Sequence, residues 1–214
     1  MGLAKLKSET KYSFEEYLEF ERQADERHEF IDGEIRAMAG ETEAHSTICW
    51  NVSGEIYNKL KGKNCRAFSP NMKVQSGHYF KQKKTSKGLF SYPDLVVVCG
   101  KPEFLDETKD VLLNPKVIFE VISPSTEAFD RGEKFSRYRA WNETLTDYVL
   151  IWQVAPLVEH FERQADNRWL LTIVESLEGV LSIESIECTL KLADIYDRVE
   201  FEETEENVEN TETI

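Results

Sequence analysis

The order of its elements predicts an α/β fold of the α+β kind, with a central mixed β-sheet flanked by helices. Three observations predict it: helical periodicity near the start, a series of short apolar runs of strand length through the middle and end, and a further helical stretch between two of those runs. With 214 residues, 41% of them hydrophobic, the chain has material for one core.

The first helix is predicted at "SFEEYLEFERQA". Ser13 with Glu16 three residues on is a capping box, opening a helix that carries Phe14, Tyr17, Leu18 and Phe20. "HEFIDGEIRAM" places Asp32-Gly33 between two short runs, the signature of a hairpin turn. A second helix fits "EAHSTICWNVSGEIYNKLKG", where Ile48, Val52, Ile56 and Leu60 recur every four residues and Gly62 supplies a stop. Strands are expected at "CRAFSPNMKVQ", Tyr92 to Cys99 and Lys116 to Ser123, then a helix from about Thr126 to Trp141. "DYVLIWQV", "LVEHFERQ" and "RWLLTIVES" complete the strands, with Ala155-Pro156 and Asp166-Asn167 as turns. No repeat or linker divides the chain, so residues 1–198 are read as one domain and residues 199–214 as an acidic, disordered tail.

The net charge of −14 argues against a nucleic-acid partner until its distribution is considered. Seven glutamates after Val199 supply half of it. Between Lys59 and Lys87 the chain carries nine basic residues and no acid, a basic stretch ahead of Asp94 that suits either a solvated surface or phosphate contact. The start "MGLAKLKSETKYSF" lacks a secretory apolar core, and no run reaches the roughly 18 apolar residues of a membrane helix, so a cytoplasmic protein is expected. The four cysteines form no CxxC pair and read as reduced, half-buried small hydrophobes. No P-loop, GxGxxG or GxSxG is present.

Two of the predicted strands, "YPDLVVVCG" and "PKVIFEVIS", are apolar but for one acid each, Asp94 and Glu120. If they pair antiparallel about Glu107, at the centre of their connecting loop, partner numbers sum to 214 and Asp94 falls opposite Glu120. Facing acids repel, and an acid within "VIFEVI" is costly to desolvate, so a divalent cation is the compensation they suggest. Pattern alone leaves a second reading open: Asp94 caps a Pro93 turn, and Glu120 sits at a strand end or meets an arginine.

The wider set, "HEFIDGEIRAM", a helix with His45, "SYPDLVVVCG", "PKVIFEVISPST", "DRGEKFSRYRAW" and "DYVLIWQV", resembles the Uma-type family of the PD-(D/E)xK nuclease superfamily across Tyr12 to Leu192. The resemblance implies a restriction-endonuclease-like fold and a Mg²⁺-dependent endonuclease, Mn²⁺ being a possible substitute, that acts on DNA as a homodimer. It implies metal ligands at Asp94 and Glu120. The lysine usual two residues after the second acid is absent, since Ile122 stands there, and the resemblance moves that role to Lys134 on the next helix. Glu34 is the added N-terminal acid it suggests, with Glu29 a competitor. His45 matches a histidine of the pattern, while a lone helical histidine also suits a structural role. Tyr138 shares the Lys134 face and reads as packing. Ile122 and the net acidity support an alternative, a silent DNA-binding or protein-interaction module that keeps the fold.

Overall fold

The computed structural model describes residues 11–77 and 86–201. The tail from residue 202 onward and Lys81, Lys83 and Lys84 of the basic stretch lie outside them.

The chain opens with helix α1 (Phe14–Glu21), whose Ser13–Glu16 capping box forms as expected. The hairpin β1 (His28–Ile31) and β2 (Glu34–Ala37) comes next, turning on Asp32 and Gly33 at φ 48° and 93°. After it stand α2 (Glu43–Leu60), β3 (Cys65–Phe68), β4 (Lys73–Ser76), β5 (Leu89–Ser91), β6 (Leu95–Cys99), β7 (Val111–Leu112) and β8 (Val117–Ile122). A helical stretch then runs through a π-helical segment, Phe129–Lys134, into α3 (Phe135–Trp141). The remainder is β9 (Asp147–Trp152), β10 (Leu157–Arg163), β11 (Trp169–Glu175), the hairpin β12 (Val180–Ile183) and β13 (Cys188–Lys191), and a short α4 (Leu192–Ile195).

The central sheet is six-stranded, in the order β11-β10-β9-β8-β6-β3, and it is mixed: β8 and β9 run parallel and the other neighbours antiparallel. A second sheet, β2-β1-β5-β4-β7, stands beside it. Both faces of β6, β8 and β9 are covered, which is why these strands read as continuous apolar runs. On one face Ile48, Val52, Ile56 and Leu60 of α2 pack on Leu95, Val97, Val117, Phe119 and Val121. On the other, Val96, Val98, Ile118 and Ile122 meet Phe135 and Tyr138 of α3 and Ile31, Val74 and Leu89 of the second sheet.

The structure differs from the expectation in three places. "CRAFSPNMKVQ" is two strands in two different sheets, because Pro70 lies in a turn and Arg27 donates to its carbonyl, so no ladder continues. β5 and β7 are too short to show a pattern, and the β12–β13 hairpin, whose four-residue strands alternate between buried and exposed positions, was not among the expected strands. Finally, Cys65 and Cys99 are partners in the β3–β6 register and form a disulfide, with Cα atoms 3.9 Å apart; only Cys49 and Cys188 are free thiols.

Candidate active site

The β6–β8 register is the one that counting about Glu107 gives. β6 and β8 pair antiparallel in the register Leu95 with Phe119, Val96 with Ile118 and Val97 with Val117, each pair summing to 214. Asp94 precedes β6, and its carboxylate reaches across the strand ends: Oδ2 accepts the Val121 amide N–H at 2.6 Å and Oδ1 lies 3.1 Å from His45 Nε2. Alternation along β8 turns Glu120 to the same face as Ile118 and Ile122, and only 4% of it is exposed.

The helix after β8 supplies the compensation. Asp130, Lys134 and Tyr138, four residues apart, are all buried against this face. Lys134 Nζ is 2.9 Å from Glu120 Oε1, 3.3 Å from Asp130 Oδ1 and 3.4 Å from Glu29 Oε1. Tyr138 donates its hydroxyl to Glu120 Oε1 at 3.4 Å and shares a 2.7 Å bond with Ser91 Oγ. Ile122, at the usual lysine position, is wholly buried in the apolar cluster. The ammonium therefore comes from Lys134 instead. The helix is held by Arg137, whose two terminal nitrogens donate to both oxygens of Asp32 at 3.0 and 2.8 Å, tying it to the β1–β2 turn.

Burial is the largest influence on Glu120, Glu29, Lys134 and His45. It raises Glu120 well above an ordinary glutamate, with Asp130 and Asp94 adding to the rise against the pull of Lys134. Glu29 is raised in the same way. Lys134 loses by desolvation and gains more from Glu120, Glu29 and Asp130, so it keeps its proton. For His45, the hydrogen bond and charge of Asp94 outweigh the lowering by burial, and its pKa ends above the usual value.

Of the two N-terminal acids weighed from sequence, the structure brings Glu29 to Lys134. Glu34 lies at the turn end of the hairpin, opposite Ile31, where Arg36 donates to it at 3.1 Å. Among the described residues, the basic stretch does not form one surface beside Asp94. Lys73 is buried, 3.0 Å from Asp110, and Lys63 donates to the carbonyls of Ile186 and Glu187. Lys59 is at the C-terminal end of α2, fourteen residues or roughly 21 Å of helix from His45. Asp130 escaped the sequence reading although its four-residue spacing to Lys134 was visible; Ser91 had no signal, since β5 was not recognised.

This geometry sits in a chain whose residues 14–193 match the Uma2 family model, described as "Putative restriction endonuclease". The chain belongs to that family. Two uncharacterized proteins of Synechocystis sp. are 35% and 32% identical to it, over 73% and 87% of this chain and 84% and 92% of their own lengths. A crystal structure titled as a putative nuclease belonging to DUF820, from Anabaena variabilis, superposes with a TM-score of 0.68 at 16% identity, over 86% of this chain and 97% of that one. At that identity the likeness is one of fold, and the fold is restriction-endonuclease-like, as the sequence resemblance implies. Among the described residues no helix is long and apolar enough to cross a membrane.

Proposed function

We propose that this member of the family is a metal-dependent endonuclease that hydrolyses phosphodiester bonds of DNA at the Asp94–Glu120 pair. The observation that carries the reading is Glu120 itself: an acid in the middle of a buried strand, within the field of Asp94 and Asp130, with a lysine ammonium 2.9 Å away. Lys134 is shared by Glu120, Glu29 and Asp130. Glu29 Oε1 is buried, with Lys134 Nζ at 3.4 Å and no closer partner among the described residues. Such a surplus of hard oxygen donors fits Mg²⁺, or Mn²⁺ in its place. Asp94 and Glu120 would hold the ion, which when bound supplies Lewis acidity and a more acidic water.

The chain's own groups have separable tasks. The Val121 amide and His45 fix the two oxygens of Asp94. Tyr138, itself held by Ser91, steers Glu120. Lys134 keeps a proton on Nζ and presents it to the negative charge that builds on the phosphate oxygens. Arg66, Lys81, Lys83 and Lys84 are the residues of the basic stretch that would meet the DNA backbone. A homodimer would cut both strands, and a cytoplasmic setting is where such an enzyme meets its substrate.

Cleavage of supercoiled plasmid in Mg²⁺ tests the reading. It should stop in EDTA and in Asp94→Asn; nicking that persists in either refutes it. A silent binding module, favoured by the buried Ile122, predicts instead no cleavage and no rise in melting temperature with Mg²⁺ or Mn²⁺.

A further inference from the structure

α2 turns a second set of donors toward Asp94. His45 and Cys49 stand one turn apart on the same helix face. One ligand atom each of His45, Cys49 and Asp94 lie within 4.8 Å of one another, the His45 Nε2 to Asp94 Oδ1 separation being 3.1 Å. A tetrahedral zinc ion with bonds of roughly 2.0–2.3 Å needs ligand atoms about 3.3–3.8 Å apart, so a shift of about an ångström would close the set.

We propose that His45, Cys49 and Asp94 form a site for a borderline-soft divalent ion of the zinc class, adjoining the all-oxygen Mg²⁺ site and sharing Asp94 with it. The donor types separate the two ions: thiolate and imidazole suit zinc or cobalt, whereas Mg²⁺ prefers oxygen. Three protein ligands leave the fourth position open to water. The site is also partly organised in advance. The Val121 amide holds Asp94 Oδ2, which leaves Oδ1 facing His45, and Cys49 is seated against the apolar cluster of α2 and the central sheet. Binding releases the thiol proton of Cys49 to solvent, with any proton on His45 Nε2, and involves no change of oxidation state.

Because Asp94 belongs to both sets, a zinc-class ion would draw it from Glu120 and inhibit cleavage; this consequence rests on the nuclease reading, whereas the binding site does not. The full chain, with Cys65–Cys99 oxidised, can be titrated with Co²⁺. A near-ultraviolet thiolate-to-cobalt charge-transfer band should appear, be bleached by Zn²⁺, and be absent in Cys49→Ser and Cys49→Ala but present in Cys188→Ser. His45→Ala, which keeps every cysteine, should weaken Co²⁺ binding by more than the roughly 10–100-fold that losing an outer-shell partner costs. No band, a band surviving both Cys49 variants, or unchanged affinity in His45→Ala overturns the site, the last arm standing even if the Cys49 variants do not fold. Zinc inhibition of Mg²⁺-dependent cleavage, read as the ratio of rates with and without Zn²⁺, should disappear in Cys49→Ala; inhibition of equal strength in that variant overturns the coupling. Absence of any cleavage in Mg²⁺ sinks the nuclease reading, while the cobalt band still decides the site.

Discussion

Lys134 is both the expected reacting-site cation and the group that keeps three buried acids tolerable. Removing one partner of a buried ion pair usually costs about 3–5 kcal/mol because the other charge is stranded. Lys134→Ala should therefore lower stability by about that amount in urea unfolding, and its loss of activity alone would not prove a chemical role. A cost below about 1 kcal/mol would show that the ammonium does not compensate Glu120. Asp110 tests a different residue-scale claim. Burial opposes its ionisation, but bonds from Arg22 at 2.7 and 3.0 Å and from Lys73 hold its pKa down to about 2. A depressed carboxylate contributes stability that is present above its unfolded pKa of about 3.9 and is lost as pH falls through its folded value. Asp110→Asn should thus cost about 1–2 kcal/mol near pH 7, after discount for screening, and the difference from wild type should shrink as pH is lowered toward about 2. A difference that stays constant with pH contradicts the assignment.

Among the elements, the π-helical segment decides whether Lys134 reaches Glu120. One π turn inside an α-helix shifts the phase of the turns beyond it, and such turns are frequent at functional sites. Gly132 lies within it, and a Cβ there would meet nothing within 4 Å. Gly132→Ala should be tolerated and raise stability by about 0.4–1 kcal/mol, through the unfolded chain. Deleting Gly132 should restore α geometry and turn Lys134 by roughly 100° relative to Asp130, with loss of cleavage; a deletion mutant as active as Gly132→Ala would show that the segment does not position the lysine. Its phase also marks where sequence reading stops. The opposition of Asp94 and Glu120 was legible because pairing about the loop centre is a counting argument on period-two strands. That Lys134 would touch Glu120 was not, since helical spacing fixes a shared face and not the sheet residue it meets. Glu29 and Glu34 stand on the same hairpin face, and burial under the helix, a tertiary fact, separates them. The Cys65–Cys99 pairing was hidden for the same reason: it depends on register across 34 residues.

For the whole molecule, the division into a six-stranded sheet and a companion sheet explains why apolar runs were easy to recognise and their partners were not. The charge pattern was a poorer guide. Lys63 and Lys73 are committed to the fold and Lys59 and Lys61 stand at the far end of α2, so DNA affinity should depend on Arg66, Lys81, Lys83 and Lys84. Changing Arg66, Lys81, Lys83 and Lys84 to Gln should weaken duplex binding equally for all sequences. The slope of log affinity against log salt should become shallower by about 0.9 for each phosphate that is no longer neutralised. An unchanged slope would place the backbone contacts elsewhere. Light scattering of the full chain should give the mass of a dimer, and a monomer at concentrations that support double-strand cleavage would contradict the expected assembly.

The proposed ion site joins Asp94, Glu120 and Lys134. Crystals soaked in Mn²⁺ and measured for anomalous scattering test it most directly: the account predicts a Mn²⁺ ion bound to carboxylate oxygens of both Asp94 and Glu120, with Lys134 beside it. A fully soaked crystal with Mn²⁺ bound elsewhere, or with the Asp94–Glu120 pair bare, would contradict it.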